Sequence, residues 1–341
     1  MNAKQIIFTK PYTAELLDVE LNEPKGKEVL IKTEYTAISA GTEKANLIGD
    51  PSVNTSSAPS VKFPRTCGYS GTGTVIAVGE NVTKFKPGDR VATVWGHHKS
   101  YQVIQEGNLM PIPDGVGFKE ATPVFISTFS SAALRKMHPK FGESVLVMGL
   151  GILGQYAVML AKASGLVPVI AADPVEERRE FALKNGADFA LNPFDEDFAE
   201  QVKNLTNGGA NMCVEVTGRG EGLNQALDCM KKFGRVSLLG CTRDSDFTVD
   251  YYRKVHAPGI TLVGAHTMAR PSIESNGDVF TYADDFDSIF KLQKFGRIHL
   301  ENMINEIVSP KDCFDVFTRL ANDKNFPIGV LFDWSECHEK N

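Results

Sequence analysis

Three glycines and one aspartate carry the clearest chemistry in this chain. Gly149, Gly151 and Gly154 form G-x-G-x-x-G, and Asp173 closes the same unit. Gly149 permits a tight turn. Gly151 has no side chain, so a pyrophosphate can approach the backbone there. Gly154 lets a helix and a strand pack closely. A helix opening at Ile152 and Leu153 presents unpaired N–H groups and its positive dipole end to phosphate oxygens. Asp173 stands about 20 residues downstream, where a carboxylate accepts the hydroxyls of an adenosine ribose. It repels a 2′-phosphate, so NAD(H) is expected over NADP(H). Arg178 is close enough in sequence to hold such a phosphate, to contact the adenine face, or to be a solvated helix charge.

The elements that must position these residues are legible around them. Ser144–Met148 is a short apolar run, as in a strand buried on both faces. Ile152–Ser164 has helical apolar spacing and Gly165 ends it; Val167–Ala172 reads as a second buried strand. The alternation continues with helix 175–185, strand 189–191, helix 194–205, strand 212–216, helix 222–232 and strands 235–239 and 260–264. This predicts an α/β fold with a doubly wound parallel sheet over about residues 121–284. Thr217 follows the fourth strand, and Gly240 and Cys241 follow the fifth. Both places are carboxyl ends of parallel strands, where ligands of such sheets bind, so these three are expected on the nicotinamide side.

Residues 1–120 read differently. Glu28–Tyr35, Thr72–Val78, Arg90–Val94 and Tyr101–Ile104 are short, often alternating strands separated by Gly/Pro turns. They predict a mostly antiparallel β domain. Asp50–Ser60, rich in Pro, Ser, Thr and Asn, reads as a surface loop or a lid. Two amphipathic helices, near 284–295 and 310–322, and a strand near 328–332 follow the α/β region. They either stand alone or complete the β domain from about residue 285 to 341.

The totals bound the function. A net charge of -6 provides no basic footprint for nucleic acid. No apolar run is long enough to span a bilayer. The six cysteines include no C-x-x-C pair. With no secretory leader pattern at the N-terminus, they fit reduced thiols in the cytoplasm.

Several stretches together resemble the medium-chain dehydrogenase/reductase superfamily of the alcohol dehydrogenase type. Gly68–Gly73 (GYSGTG) stands where that family shows G-H-E-x-x-G. Val78–Val82 (VGENV) and Phe85–Val91 (FKPGDRV) match its turns, and Gly149–Gly154, Leu183–Asp188 and Gly234–Gly240 match its cofactor region. The resemblance implies a GroES-like domain with a Rossmann domain inserted. It also exposes departures. Zinc-containing members hold a catalytic metal with Cys, the His and Glu of G-H-E, and a later acid or Cys. Here those positions fall at Ser39 or Ala40, Tyr69, Ser70 and near Val124. Hydroxyls and a valine do not supply the thiolate, imidazole or carboxylate donors that zinc takes. The four-Cys structural lobe is also missing. A zinc-less member is therefore expected, similar to the subgroup of bacteriochlorophyllide-type dehydrogenases.

Without a metal, hydrogen-bond donors must stabilise the developing alkoxide or enolate. Thr42 aligns with the family's proton-relaying hydroxyl, or is an ordinary turn hydroxyl. Tyr69 offers a phenol to a substrate oxygen, or fills the space the metal left. Ser39 lines the same corner. His97 and His98 are adjacent imidazoles, either an acid/base or a surface pair. Glu43 reads as structural. The expected activity is interconversion of an alcohol, of sugar or polyol type, and a carbonyl. The alternatives are a quinone- or enone-type reductase of activated C=C bonds, and an NAD(H)-binding structural or regulatory protein without turnover. A homodimer paired through strand 260–264 is expected, since the resemblance implies it and an uncovered sheet edge invites pairing.

Overall fold

The computed structural model describes residues 1–50, 61–242 and 247–338. The loop expected at Asp50–Ser60 lies, beyond Asp50, outside the described residues. The chain divides into two compact units. One is Met1–Ile126 together with the described residues from His299 on; the other is Ser127–Ile298.

The first unit begins with a hairpin, β1 (Asn2–Lys10) and β2 (Thr13–Glu20), which the sequence reading did not anticipate. Strand β3 (Glu28–Ala37) follows and leads into helix α1 (Ala40–Ile48). Residues 1–120 had been expected to hold only strands and turns, so α1 is a correction. The reason is local. Glu43 reaches back to accept the Ser39 N–H at 2.8 Å, Ala45 and Leu47 bury one face, and Gly49 closes the helix in the left-handed conformation. This is a carboxylate satisfying an otherwise unpaired donor at the helix start. Next come β4 (Arg65–Thr66), β5 (Ser70–Val78), β6 (Arg90–Val94), β7 (Tyr101–Gln105) and β8 (Leu109–Pro111). Short helix α2 (Phe118–Ala121) precedes α3 (Val124–Arg135), within which the first unit passes into the second.

The second unit runs β9 (Val145–Met148), α4 (Ile152–Ala163), β10 (Val169–Ala172), α5 (Glu176–Lys184), β11 (Phe189–Leu191), α6 (Phe198–Leu205), β12 (Ala210–Glu215), α7 (Gly220–Asp228), β13 (Met230–Leu238), β14 (Thr261–Gly264) and α8 (Tyr282–Lys294). Its six strands are all parallel, in the order β11-β10-β9-β12-β13-β14. The order reverses beside β9, which makes that strand's carboxyl end the switch point of a doubly wound sheet. β9 and β10 are buried along their whole length, as their unbroken apolar runs require. One boundary moved. Residues 230–232, expected in a helix, open β13 instead. Helix α7 ends at Asp228, and Met230 pairs with Ala210 of β12.

The chain then returns to the first unit through β15 (Glu306–Val308), α9 (Cys313–Asn322) and β16 (Val330–Asp333). β16 pairs antiparallel with β3 and completes a seven-stranded sheet. Phe317 of α9 stacks edge-on against Phe8 of β1 at 4.9 Å, inside a core that also holds Ile6, Ile38, Leu47, Phe332 and Trp334. The amphipathic α9 and the last strand are thus part of the β unit. Helix α8 belongs to the second unit.

Candidate functional site

Each unit carries its own set of chemically capable residues. In the second unit they sit at the carboxyl end of β9. Gly149 leaves the strand at φ +93°, and its N–H donates to the Ala172 carbonyl at 2.8 Å. A Cβ on Gly154 would collide with the Gly149 carbonyl oxygen, so only glycine lets α4 seat against the turn. A Cβ on Gly151 would meet nothing within 4 Å. That glycine is not needed for packing. No side chain caps the start of α4, so Ile152 and Leu153 open the helix with their N–H groups uncapped.

Asp173 follows β10 and is 4% exposed. Its Oδ2 accepts the Leu150 N–H at 2.8 Å and its Oδ1 accepts the Val175 N–H at 2.9 Å. The carboxylate therefore ties the end of β10 to the glycine turn. Arg178 Nη1 lies 3.7 Å from Asp173 Oδ2. A Cβ on Gly149 would lie 3.2 Å from the Thr217 nitrogen, so the turn after β9 runs close beside the chain that follows β12. Gly218, at φ +62°, and Gly240 approach so closely that neither admits a side chain; a Cβ on Gly218 would lie 2.5 Å from the Cys241 carbonyl oxygen. The backbones after β12 and β13 are thereby clamped together. Glu215, at the end of β12, accepts from both the Thr217 N–H and its hydroxyl. Burial raises the Glu215 carboxyl above its ordinary range, and the two Thr217 bonds oppose that rise. The structure thus brings Gly149, Gly151, Ile152, Leu153, Gly154, Asp173 and Arg178 together around one turn, with Thr217, Gly240 and Cys241 at the neighbouring strand ends.

In the first unit the corner lies where β3 enters α1 and where β5 begins. The Tyr69 hydroxyl donates to Ser39 Oγ. The Tyr69 ring packs against Trp95 at 5.7 Å and edge-on against Phe125 at 5.8 Å, and Trp95 meets Phe125 at 5.1 Å. Ser70 donates its hydroxyl to the Thr122 carbonyl at 2.5 Å and is buried. Trp95 is 40% exposed and holds φ +60°, a costly conformation for a bulky residue. Trp95 and Phe125 were missed as site residues. The one signal for Phe125 was its place next to Val124, where the resemblance puts a metal ligand. Trp95 had no local signal.

The adjacent histidines separate. His97 is exposed, though flanking protein desolvates it enough to lower its pKa. His98 is sealed from solvent at 0% exposure. That burial corrects the surface-pair alternative for His98, whose ring meets protein rather than solvent. Both its nitrogens are engaged: Nδ1 with Thr36 Oγ1 at 2.7 Å and Nε2 with Glu43 Oε2 at 2.8 Å. Thr42 lies on α1, half-buried, and its carbonyl accepts from the Asn46 side chain at 2.8 Å.

Among the described residues, one group of three metal-capable side chains converges: Glu43, Cys67 and His98, with ligand atoms within 4.8 Å of one another and all buried. The Cys67 thiol donates to the Ile6 carbonyl at 3.4 Å. Burial, then the Glu43 charge, pushes its pKa well above that of a free thiol.

Comparison with known proteins agrees with this geometry. The family described as alcohol dehydrogenase GroES-like domain matches residues 25–170, and the family described as zinc-binding dehydrogenase matches residues 153–280. L-threonine 3-dehydrogenase of Pyrococcus horikoshii is 32% identical over 289 residues, covering 76% of this chain and 81% of that protein. D-guloside 3-dehydrogenase of Escherichia coli K12 is 26% identical over 96% of this chain and all of its own length. The crystal structure of galactitol-1-phosphate dehydrogenase from Escherichia coli shares the fold, with a TM-score of 0.83 at 18% identity over 97% of this chain and 99% of that one.

Proposed function

Because this chain belongs to the medium-chain dehydrogenase/reductase superfamily, we propose that it is a zinc-independent, NAD(H)-dependent oxidoreductase that interconverts a polar secondary alcohol, of sugar or polyol type, and a carbonyl. The observation that carries this reading is the Tyr69–Ser39 hydrogen bond, standing where zinc-containing members of the superfamily hold their metal. A bound nicotinamide supplies the hydride. The chain's own residues do the rest. Gly151 and the uncapped N–H groups of Ile152 and Leu153 receive the pyrophosphate, and Asp173 accepts the adenosine ribose hydroxyls. Asp173 disfavours a 2′-phosphate, and Arg178 softens that preference. Thr217, Gly240 and Cys241 border the nicotinamide. With substrate bound, Tyr69 turns its one hydroxyl proton to the substrate oxygen and accepts the Ser39 hydroxyl proton in its place, and so stabilises the charge that develops there. Thr42 and the exposed His97 pass the proton to solvent.

The donors of the Glu43–Cys67–His98 group speak against zinc. The His98 and Glu43 atoms that would ligate are already bonded to each other, and the Cys67 thiol donates to the Ile6 carbonyl. A closed zinc site takes four protein ligands and a catalytic one keeps an open position. This group offers three ligands, none facing solvent. The relatives act on L-threonine and on a D-guloside, by their names, and the latter favours a sugar-like substrate. The rings of Trp95 and Phe125 favour a second reading, a planar enone reduced at its C=C bond. We read the protein as cytoplasmic and as a homodimer paired through β14, the terminal strand of its sheet, whose Leu262 is exposed. No helix among the described residues is long and apolar enough to cross a membrane.

The test is direct. Protein purified without added metal is analysed for zinc, titrated with NADH and NADPH by fluorescence, and assayed against L-threonine, alditols, alkyl glycosides and enones. Expected are less than one zinc per chain, tighter NADH binding, and turnover of a polyol or glycoside. One retained zinc per chain overturns the metal-free mechanism. NADH binding with no hydride exchange against any compound favours the non-catalytic alternative.

A further inference from the structure

The first unit contains a hydrogen-bonded chain that the reaction as described does not use. Trp334 Nε1, an obligate donor, donates to Thr36 Oγ1 at 2.9 Å. His98 Nδ1 lies 2.7 Å from Thr36 Oγ1, and we read the Thr36 hydroxyl as the donor of that bond. This assigns the remaining ring proton to Nε2, which donates to Glu43 Oε2 at 2.8 Å. Glu43 Oε1 accepts the Ser39 N–H at 2.8 Å. Glu43 thus accepts from both sides, from His98 on the Trp334 side and from the Ser39 N–H on the other, and the Ser39 hydroxyl in turn accepts from Tyr69. Every member from Trp334 to Ser39 is buried. The chain is also wedged in place. Gly68, at φ +82°, lies so near that a Cβ there would stand 2.7 Å from the His98 nitrogen and 2.8 Å from its ring. Gly68 immediately precedes Tyr69, so His98 stands beside the residue before Tyr69 and is linked through Glu43 to Ser39.

We propose that His98 and Glu43 form a positioning pair. They fix the Ser39 backbone through its N–H, and through Ser39 they set the hydrogen bond that orients and polarises the Tyr69 phenol. A charged acceptor makes the stronger bond to a backbone N–H, which explains a buried carboxylate where an apolar side chain would pack. A buried imidazole is the partner that lets that carboxylate stay there, because an unpaired one is costly. The pair itself never touches substrate. The proposal rests on Tyr69 being the group that meets the substrate oxygen.

The experiment separates the two claims. The full chain is labelled with [13Cζ]tyrosine; it has eight tyrosines, and Tyr69→Phe assigns the signal of interest. The double variant Glu43→Leu/His98→Phe replaces the pair with apolar side chains. Expected are a cooperative melt, unchanged NADH affinity, a displaced Tyr69 Cζ signal with the other signals in place, and a kcat lower on the order of 10–100-fold. Glu43→Gln is isosteric and keeps an acceptor for Ser39, so it shifts the same signal in the same direction by less, and it decides the matter if the double variant does not fold. An unmoved Tyr69 signal in a folded variant overturns the proposal. Unchanged kcat in Tyr69→Phe overturns the role of Tyr69 instead, whatever the spectrum shows.

Discussion

The two sets of site residues are built from different materials. Around β9 of the second unit, the geometry is made by backbone: glycines that admit no Cβ, an uncapped helix start, and one carboxylate bonded to two N–H groups. In the first unit it is made by side chains far apart in sequence, Ser39, Tyr69, Trp95 and Phe125, backed by Thr36, Glu43, His98 and Trp334. The first kind tolerates almost any neighbouring side chain and almost no change at its glycines. The second tolerates small backbone changes and depends on the identity of each functional group. A surface that must meet the same dinucleotide in many enzymes suits the first, and a surface that must meet one substrate suits the second.

The sharpest way to break this contrast is at Gly154. Gly154→Ala drives a methyl into the Gly149 carbonyl, and relieving the clash requires a costly backbone shift. We expect a loss of about 3 kcal/mol of stability, read by thermal or urea denaturation. Loss below about 0.5 kcal/mol would mean that α4 does not pack as described. Gly151→Ala is the matched control. Its added methyl meets only open space, so stability should change by less than about 0.5 kcal/mol. NADH affinity should nevertheless fall on the order of tenfold, about 1.4 kcal/mol, because the methyl occupies the place of the pyrophosphate. Fluorescence titration decides it, and an unchanged Kd would remove Gly151 from the phosphate site.

The side-chain region predicts the opposite split. Tyr69→Phe removes one hydroxyl from a packed ring, so the fold and the NADH affinity should hold while kcat drops on the order of 100-fold. A rise in KM for NADH with unchanged kcat would reverse the assignment of the two regions. The mildest test is chemical. Cys241 is exposed, whereas Cys67, Cys213, Cys229 and Cys313 are buried. Iodoacetamide should label Cys241 first in the native protein, as peptide mapping would show, and NADH should slow that reaction. Labelling unaffected by NADH would move Cys241 away from the cofactor.

The same contrast explains what could be read before the structure. Gly149, Gly151, Gly154 and Asp173 lie within one βαβ unit, so local spacing alone exposed them. The doubly wound parallel sheet followed from the alternation of buried runs and helices. Tyr69 and Ser39 were reached because they stand at positions the resemblance marks. Their contact, and the rings of Trp95 and Phe125, depend on pairings between β3, β5 and β6 that no local pattern states. His98 shows the limit most clearly. As half of a His-His pair it read either as an acid or base or as a surface residue. In the fold, its backbone N–H bonds to the Cys67 carbonyl at 3.0 Å and its ring is enclosed between β3 and α1. Helix α1 escaped notice even though Glu43 read as structural, because the group it holds is the Ser39 backbone N–H, which no residue type announces.

Trp334 and β16 close the first unit from the far end of the chain. As the protein leaves the ribosome, the second unit is complete at Ile298, while the first still lacks the strand that covers β3. Domains fold as units during synthesis. The second unit is thus ready to fold while the first, though begun earlier, still waits for its last strand.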